Sequence, residues 1–598
     1  MKENKSYDTQ QKGALGRAIK SLAIHLTPAQ KRKMIALFVL IFLSAIVDVF
    51  GLASILPLIR LAGDPSALHH NKALQWIYVH LHFSSDNQFL LVMIFAVLVF
   101  FIFKSVFGYF VNYLQTRFSW GVAQHITQHQ FSKYFSLDFH RFTALKSSVI
   151  THHIVNNPLS YVTWVVLPLI MIMSEGTIVL LIITGISIYD FKLFLFLTCV
   201  IGPATWLIFA LMKNKSTRIG RELNKLMPMS LGQMNQVIQG YIDIKLSEKE
   251  NYYKSRFLKV QSRLQKLNMD FYLQNLVPQR ANELIALLGV VLIFLYAIFL
   301  TDNHAQAILM VSVFAAAAYR LMPSTARIVT AMVQIRKNTV AMDNLSLFND
   351  EFKDESKKVA QVPLAFHREI VFDHLSFSFP GKKESVLKDI SFQIRKGEKI
   401  GIVGTSGSGK TTLMNVLLRF YKEDKGAIKV DGVPLGAQHL SDWRKKIGYV
   451  KQDIFLLDGT IKENIAFGDD NVNEELLMKA IRQASLDKLV SSLPDGVETS
   501  IGEKGSRLSG GQRQRISIAR SLYRNAEVLI FDEATSALDN ETEIEVTEAI
   551  DKLSEVNKTI FIIAHRITTL RNCDRIYDLK DGEITGVYSY AELVEKVI

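Results

Sequence analysis

Cysteine is scarce in this chain: Cys199 and Cys573 are the only two among 598 residues, and they lie far apart in sequence. A disulfide framework is therefore not expected, and the soluble part of the protein should face a reducing compartment. A signal peptide is not expected either, because residues 1–26 are polar and contain no cleavable apolar core. We find no internal repeats and no low-complexity tracts.

Acidic residues are outnumbered by basic ones, 56 against 69, which gives a formal net charge of +13. Hydrophobic residues make up 49% of the chain, and long apolar runs are confined to the first 345 residues. The lysines and arginines cluster beside these runs, a pattern that suits anionic lipid headgroups better than nucleic acid. We therefore expect a membrane protein of two or more domains, with membrane lipid and not nucleic acid as a partner.

The first apolar run, residues 34–61, directly follows the basic triplet Lys31-Arg32-Lys33. At a rise of about 1.5 Å per residue it can cross a hydrocarbon core of about 30 Å. The triplet places its first end in the cytoplasm by the positive-inside rule. Five further spans are predicted, at about residues 88–112, 155–187, 191–213, 281–300 and 306–333. Six spans return the chain to the cytoplasm, so the N-terminus and the part after residue 345 are both expected there.

Two amphipathic segments lie outside the spans. Residues 14–26 alternate apolar and basic positions at helical spacing, which fits a helix on the membrane surface as well as a soluble amphipathic helix. The external segment 62–87 is long enough for a short amphipathic helix. The residues predicted on its apolar face are Leu74, Ile77, Tyr78 and Leu81.

The two cytoplasmic gaps between spans, residues 113–154 and 214–280, are rich in helix formers and in Lys and Arg. Their periodic Leu, Ile and Phe favour helices that continue past the bilayer over two disordered loops. We expect these helices to turn near Ser136–Phe142 and Gln239–Ser247, where they could touch a cytoplasmic domain.

Charged side chains inside the predicted spans are costly in a bilayer and therefore indicate either function or ion pairing. The clearest are Asp48, Lys104, Glu175, Glu283 and Arg320, with Arg280 nearer the cytoplasmic edge. In one interpretation they line a cavity for a charged or polar substrate, and Arg320 and Arg280 are partners for phosphate. In the other they form ion pairs that fix helix register, such as Glu283 with a neighbouring arginine. The sequence does not separate these interpretations.

Residues 345–366 are polar and charged, which marks a linker, and a phosphate-binding loop follows further along the chain. The apolar, β-branched run Ile400–Val403 reads as a short buried strand, and a helix should begin near Thr411. Between them stands G-x-x-x-x-G-K-T, formed by Gly404, Thr405, Ser406, Gly407, Ser408, Gly409, Lys410 and Thr411, with Thr412 next. Glycines let backbone N–H groups turn toward phosphate oxygens, and the helix N-terminus adds its positive dipole end. Lys410 can reach the β- and γ-phosphates and Thr411 can bind Mg²⁺, so the protein should bind a nucleoside triphosphate.

Further polar residues stand at the ends of apolar runs. The run Val528–Phe531 ends in Asp532 and Glu533, as expected of a buried parallel strand with ligands at its carboxyl end. We expect Asp532 to hold Mg²⁺ and Glu533 to polarise the attacking water as general base. The buried strand at 559–564 ends at His565, which can contact the γ-phosphate; a satisfied core histidine is the alternative.

The alternating stretch Leu375–Phe379 resembles an edge strand that ends in an aromatic residue. Phe379 can stack on an adenine ring, whereas an ordinary core phenylalanine is the alternative. A second anion cradle is predicted where Ser509, Gly510 and Gly511 precede a helix start. One nucleotide does not need two cradles, so the second is expected to cap a triphosphate held by another copy of the chain. The triphosphate would then join a head-to-tail pair.

Together these strings resemble the motif set of ABC transporter ATPases. The matching residues are Gly404–Thr411, Gln452, Leu508–Gln512, Asp532–Glu533, Ser536–Asp539 and His565. In that family they are the Walker A motif, Q-loop, signature, Walker B motif with catalytic glutamate, D-loop and switch histidine. Phe379 departs from the pattern, because it stands where tyrosine is commonest; it keeps a stacking ring but lacks the hydroxyl.

The resemblance covers essentially the whole chain, because six spans ahead of one ATPase domain is the arrangement of exporter-type half-transporters. It implies a six-helix all-α transmembrane domain (residues 1–345), a linker (346–365) and an α/β P-loop ABC ATPase domain (366–598). It also implies ATP and Mg²⁺ as cofactors, and a homodimer with two complete ATP sites that works by alternating access. The cytoplasmic turns would be coupling helices.

The resemblance assigns roles to individual residues. Glu533, His565 and Gln452 would be catalytic, and Thr411, Gln452 and Asp532 would bind the metal. Contacts to nucleotide would come from Phe379, the phosphate-binding loop through Thr412, the signature residues Ser509 to Gln512, and Asp539.

Several shorter strings look like the bacterial flippases of lipid-linked oligosaccharides. They are Leu26–Arg32, Asp48 with Gly51–Pro57, Tyr319–Ser324 and Leu457–Ile465. We therefore expect an ATP-driven flippase in a bacterial cytoplasmic membrane, with a lipid-linked oligosaccharide or similar polar-headed lipid as cargo. Asp48, Glu175, Arg280, Glu283 and Arg320 are the expected substrate residues. The alternatives are an exporter of lipid, lipopeptide, peptide or drug, and an ATP-gated channel or regulator. A soluble ATPase acting on nucleic acid or ribosomes is excluded if the spans insert.

Overall fold

The computed structural model describes residues 13–63, 72–80, 82–83, 85–189, 191–300, 304–345, 360–382, 384–535, 540–555, 557–564 and 566–597. The chain divides into two compact units. The first comprises residues 1–137 and 143–352, and the second comprises residues 138–142 and 353–598.

The first unit is built from helices. The helices before residue 346 are α1 (Ala14–His25), α2 (Pro28–Gly63), α3 (Lys72–His80), α4 (Asp86–Phe135), α5 (Phe139–Ala144), α6 (Ser147–Thr151), α7 (Asn157–Tyr161), α8 (Leu167–Tyr189), α9 (Phe191–Gln239), α10 (Tyr241–Leu246), α11 (Glu250–Leu300), α12 (His304–Lys337) and α13 (Thr339–Asn344). Two π-helical turns, His152–Asn156 and Val162–Val166, join α6, α7 and α8 into one continuous helical stretch.

All six predicted spans fall on helical backbone. Among the described residues, three stretches are long and apolar enough to cross a membrane: Pro28–Gly51, Asp86–Phe135 and Ser147–Ile188. The predicted extensions of the helices beyond the spans are confirmed, because α4 continues to Phe135, α9 continues to Gln239 and α11 begins at Glu250. The alternative of two disordered loops is wrong, since the periodic apolar residues pack between helices.

Part of the apolar face of helix α1 is buried against other helices of the first unit. Ala18 and Leu22 are buried in a cluster with residues of α2, α4 and α7, and the Tyr161 hydroxyl donates to Ser21 Oγ at 3.1 Å. Ile19 and Ile24 lie on the exposed side. The expectation of an amphipathic helix is confirmed, and the buried part of its apolar face packs on the helical unit.

The short helix predicted between the first two spans is also confirmed as α3. The Tyr78 ring packs edge-on against Phe89, with 5.6 Å between the ring centroids. Leu81 lies outside the described residues, as do the side chains of Leu74 and Ile77.

The second unit contains two sheets with helices around them. Its strands are β1 (Glu369–Phe377), β2 (Leu387–Arg395), β3 (Lys399–Val403), β4 (Lys425–Val430), β5 (Val433–Pro434), β6 (Ile447–Lys451), β7 (Val528–Asp532), β8 (Thr559–Ile563), β9 (Arg575–Lys580) and β10 (Glu583–Tyr588). Its helices after residue 360 are α14 (Lys410–Leu417), α15 (Leu440–Lys446), α16 (Ile461–Ile465), α17 (Glu474–Gln483), α18 (Asp487–Ser492), α19 (Gly510–Tyr523), α20 (Asn540–Glu555) and α21 (Tyr590–Val597).

The six-stranded sheet has the order β10-β9-β3-β8-β7-β6. Strands β9, β3, β8, β7 and β6 are parallel, and β7 and β8 are apolar and buried almost throughout. Continuous burial follows from the sheet being covered on both faces by the two apolar clusters of this unit. The buried strands predicted at 400–403, 528–532 and 559–563 are thereby confirmed.

The expectation of an edge strand at Leu375–Phe379 is wrong. The strand β1 ends at Phe377 and lies inside a four-stranded antiparallel sheet of order β2-β1-β4-β5. The alternation arises because one face of this sheet packs on the core while the other is partly exposed, which is common in antiparallel sheets.

Helix α9 approaches the end of α12 very closely. A Cβ atom placed on Gly220 would lie 1.7 Å from the backbone oxygen of Lys337. The Lys337 side chain is buried, and its ammonium lies over the Phe271 ring, 3.5 Å from the centroid. Because backbone atoms and a buried side chain meet here, neither helix can move away from the other without a considerable cost in packing free energy.

We expect Gly220→Ala to lower the stability of the first unit by about 1–3 kcal/mol, the usual cost of overpacking. Thermal unfolding of the purified protein in detergent measures this loss. The matched control is Gly232→Ala on the same helix, whose new Cβ would meet only Ser148, at an ordinary 3.5 Å from Oγ and 3.9 Å from Cβ. Helix propensity favours alanine there, so an equal loss in both variants would contradict the close approach.

Candidate nucleotide-binding site

The predicted phosphate-binding loop joins β3 to α14. Strand β3 is buried between β8 and β9, and α14 begins at Lys410 after Gly409, whose φ is +107°. The Lys410 ammonium donates to the backbone oxygens of Gly404 at 2.8 Å and Thr405 at 3.0 Å. Burial lowers the pKa of Lys410, and the nearby charges of Glu533 and Asp532 oppose that shift. The ammonium is therefore held by loop oxygens and feels the charge of both acids.

The loop has no room for side chains at its two ends. A Cβ atom on Gly404 would lie 2.2 Å from the backbone oxygen of Leu579, and one on Gly409 would lie 3.0 Å from Leu387 Cδ2. Gly407 (φ +85°) has open space around it. Thr405, Ser406 and Thr411 are exposed, Thr412 is half-buried, and Ser408 is buried. Within the described part of the chain, Ser408 Oγ makes no hydrogen bond, which fits a hydroxyl that serves a bound group.

The carboxyl ends of the parallel strands bring the predicted acids to this loop. Asp532 ends β7, and Glu533 follows it with φ +52° while its backbone N–H donates to the Ile563 oxygen at the end of β8 at 3.0 Å. Gln452 is exposed just after β6, the strand next to β7. Parallel register alone therefore places Gln452, Asp532 and Glu533 along the edge where Lys410 lies.

Phe379 lies two residues beyond β1. Its ring meets Phe377 and Tyr421 edge-on, with centroid distances of 5.3 and 5.6 Å. The side chain is partly buried against the apolar cluster beneath it. It is thus a peripheral member of an aromatic cluster, and one whose ring is not enclosed.

The predicted second cradle begins helix α19. Ser509 Oγ accepts from the Gln512 backbone N–H at 3.2 Å, and Gln512 Oε1 accepts from the Ser509 N–H at 2.9 Å. This reciprocal capping box fixes a helix start with Gly510 and Gly511 in the first turn. Asp539 and the rest of Ser536–Asp539, together with His565, lie outside the described residues.

Three comparisons with known proteins bear on this arrangement. The sequence model of the family described as "ABC transporter" matches residues 387–536. The "ATP-dependent lipid A-core flippase" of Cupriavidus metallidurans is 31% identical over 494 residues, covering 81% of this chain and 82% of that protein. The protein of the same name from Francisella novicida is 34% identical over 442 residues, or 72% of each chain.

The chain belongs to the ABC transporter family. A solved structure described as a bacterial Atm1-family ABC exporter with ATP bound has the same fold, with a TM-score of 0.76, 21% identity and coverage of 96% of this chain and 97% of that one. The chain therefore has the fold of an exporter-type half-transporter, in which a multi-pass helical membrane unit is fused to an ABC ATPase. It binds ATP and couples ATP hydrolysis to transport.

The charges in the membrane unit of the transporter form ion pairs. Asp48 on α2 lies between two cations, with Oδ1 3.0 Å from Lys104 Nζ on α4 and Oδ2 2.9 Å from Arg320 on α12. Glu175 on α8 pairs with Arg327 on α12 at 2.7 Å. These pairs join different helices.

Arg280 and Glu283 behave differently, because they pair at 3.1 Å within one helix, three residues apart, and are largely exposed. Such a pair cannot fix the register between helices. The expected pairing of Glu283 with a neighbouring arginine is present, but it is local to one helix.

Sequence reasoning missed two residues of the transporter. Arg327 lies in the predicted span 306–333 and was identifiable as a charge inside an apolar segment. Tyr449 precedes Gln452 by three residues, and its hydroxyl donates to Asp532 Oδ2 at 2.7 Å. Only the parallel pairing of β6 with β7 could have indicated this contact, and pairing order is not readable from the sequence.

We expect Gly404→Ala to abolish ATP binding, because the new Cβ would collide with the Leu579 backbone and distort the loop that holds Lys410. Titration with a fluorescent ATP analogue measures the effect. Gly432→Ala is the matched control, since its Cβ also has open space, its φ of +81° costs about 1 kcal/mol, and it lies between β4 and β5, outside the phosphate-binding loop. Unchanged ATP affinity in the Gly404 variant would contradict the described loop geometry.

Proposed function

We propose that this transporter flips a lipid with an anionic, glycan-bearing headgroup across a bacterial cytoplasmic membrane, and does so as a homodimer. The proposed cargo class rests on three charged side chains that lie together, Asp48, Lys104 and Arg320, which we call the Asp48 cluster. Among the residues that the structure describes, it contains two cations and one carboxylate, so it has one positive charge in excess within the predicted spans. Charge at that depth is costly unless it serves a polar partner.

The names of the relatives agree with this cargo class. Both are called lipid A-core flippases, and a lipid-linked oligosaccharide has the same general form of a polar glycan on a lipid anchor. An exporter of lipid, lipopeptide, peptide or drug is the second candidate within the family. An ATP-gated channel is distinguished by transport, since only a pump moves labelled lipid between leaflets against its gradient at the expense of ATP.

A second basic feature supports an anionic headgroup on the proposed cytoplasmic side. A groove of about 320 Å³ is lined by Asn214, Thr217, Arg218 and Arg221 of α9. The groove begins where the predicted span 191–213 ends, and Leu207 and Leu211, both exposed, continue the same helical face toward the membrane. An apolar surface followed by a basic groove matches a lipid whose chains and headgroup lie in that order.

The ATP site is proposed to work with Mg²⁺, which supplies charge neutralisation at the phosphates when bound. Thr411, Asp532 and Gln452 would hold it, and their hydroxyl, carboxylate and amide oxygens are the hard donors that this ion prefers. Lys410 would contact the phosphates in place of the Gly404 and Thr405 oxygens. Phe379 would stack on the base, and His565 would contact the γ-phosphate.

Glu533 is proposed as the general base. It follows Asp532 at the carboxyl end of β7, and its backbone is held by the Ile563 oxygen, so its carboxylate is carried by rigid neighbouring strands. A base fixed in this way can accept a proton from water as the water attacks the γ-phosphate. The adjacent Asp532 would stay bound to the metal, which separates the roles of the two acids.

The second cradle supports the proposed homodimer. The start of α19 offers backbone N–H groups and a hydroxyl, yet the triphosphate around Lys410 already has a complete helix start at α14. We propose that Ser509 to Gln512 of one copy close over the ATP held by the other, with Asp539 nearby. A single subunit in a bilayer that hydrolysed ATP at the full rate would contradict this part of the proposal.

Glu533→Gln is expected to reduce ATP hydrolysis by about 10²–10⁴-fold, the usual contribution of general-base catalysis, while ATP binding is retained. Steady-state phosphate release and fluorescent-nucleotide titration measure the two quantities. Glu463→Gln is the matched control, because Glu463 completes the capping box of α16, where glutamine serves as well. Rapid turnover by the Glu533 variant would overturn its role as base.

The Asp48 cluster predicts opposite effects for two substitutions. Asp48→Asn raises its net charge to about +2 and Arg320→Gln lowers it to about zero, so the lipid concentration for half-maximal ATPase stimulation should fall in the first variant and rise in the second. About tenfold in each direction corresponds to about 1.4 kcal/mol, a modest value for one charge near an anion. Detergent-purified protein titrated with lipid A or a lipid-linked oligosaccharide provides the measurement.

A phosphate-free glycolipid is the control ligand for this experiment, because its affinity should not follow the charge. If the Asp48 cluster only joined helices, both substitutions would lower the unfolding temperature and weaken stimulation alike. That result would mean that the Asp48 cluster only stabilises helix packing, and it would contradict a role in cargo binding.

A further inference from the structure

Tyr449 connects two parallel strands at the nucleotide edge of the sheet. It lies in β6, where it pairs with Ile530 of β7, while Lys451 pairs with Asp532. The Tyr449 hydroxyl reaches forward along the strand direction and donates to Asp532 Oδ2 at 2.7 Å. The phenol is the donor and the carboxylate is the acceptor of this hydrogen bond.

The contact gives the two oxygens of the Asp532 carboxylate different roles. In the part of the chain that the structure describes, Oδ2 accepts the phenol hydrogen bond. A carboxylate held through one oxygen cannot rotate freely about its last bond, so the direction of the other oxygen is also fixed. A hydrogen bond from a neutral donor also leaves the carboxylate charge in place for a cation.

The Tyr449 ring supplies the rigidity that this arrangement needs. It is partly buried against the apolar cluster that contains Ile447 and Ile530, and the Lys451 ammonium lies 5.3 Å from its centroid. The ring is thus held by packing that does not depend on its hydroxyl. Removing the hydroxyl alone should leave the ring where it is.

We propose that Tyr449 is a positioning residue for the metal of the ATP site, and that its hydroxyl orients the Asp532 carboxylate toward that ion. This inference rests on the proposed role of Asp532 in holding Mg²⁺. Partners of metal-binding carboxylates commonly change metal affinity by about 10–100-fold when they are removed. Tyr449 would therefore act on metal affinity and leave metal-free nucleotide binding as it is.

The test is Tyr449→Phe in the full-length protein. Mn²⁺ serves as a paramagnetic probe in place of Mg²⁺, and electron paramagnetic resonance reports free Mn²⁺ in a titration with a non-hydrolysable ATP analogue present. The Mn²⁺ dissociation constant should rise about tenfold. Affinity for the analogue in the presence of a chelator, and the unfolding temperature, should match the unsubstituted protein.

Tyr577→Phe is the matched control. Tyr577 also lies in a strand of the same sheet, and its hydroxyl donates to the Gln393 backbone oxygen at 3.2 Å, away from Asp532. It loses the same atom and a comparable hydrogen bond, so its Mn²⁺ affinity should not change. An unchanged Mn²⁺ dissociation constant in the Tyr449 variant, or an equal rise in both variants, would overturn the inference.

Asp532→Asn separates this inference from the proposal on which it rests. If Asp532 holds the metal, this variant weakens Mn²⁺ binding whatever Tyr449 does, and Tyr449→Phe in the Asp532→Asn background should add no further loss. If Asp532→Asn leaves Mn²⁺ affinity unchanged, the metal role of Asp532 is wrong. A loss in Asp532→Asn without a loss in Tyr449→Phe rejects only the role of Tyr449.

Discussion

The parallel pairing of β3, β8, β7 and β6 is the constraint on which the ATP site depends. Parallel strands end at one edge, so the residues that follow them meet there although they are far apart in sequence. Gly404, Asp532 and Gln452 come from three such strand ends. The sheet can place them rigidly because its strands are buried on both faces, and buried strands do not shift without opening the core.

The main constraint on the membrane unit is a different one, the free-energy cost of placing a charged group in an apolar medium. Asp48 lies between Lys104 and Arg320, and Glu175 meets Arg327, so these two carboxylates have cationic partners on other helices. The two clusters differ in balance, since the pair at Glu175 is neutral whereas the Asp48 cluster has one cation in excess. Helix association accounts for a neutral pair, and the proposed anionic cargo would balance the cation in excess.

Close backbone approach recurs where the chain must hold a precise shape. Gly220 allows α9 to touch the end of α12, and Gly404 allows the phosphate-binding loop to touch the strand that contains Leu579. The first contact belongs to the membrane unit and the second to the ATPase. In both cases backbone atoms occupy the space of a side chain, so the constraint is steric and independent of the solvent around the unit.

Local sequence determined the helices, the buried strands and the phosphate-binding loop, because apolar periodicity and glycine placement act between near neighbours. The wrong edge assignment at Leu375–Phe379 shows where this fails, since alternation reports a half-exposed face and not the position of a strand in its sheet. Only the tertiary structure decided that Tyr449 donates to Asp532 and that Lys104 and Arg320 share Asp48. Those contacts join residues distant in sequence, and strand order and helix packing, which no local pattern encodes, set them.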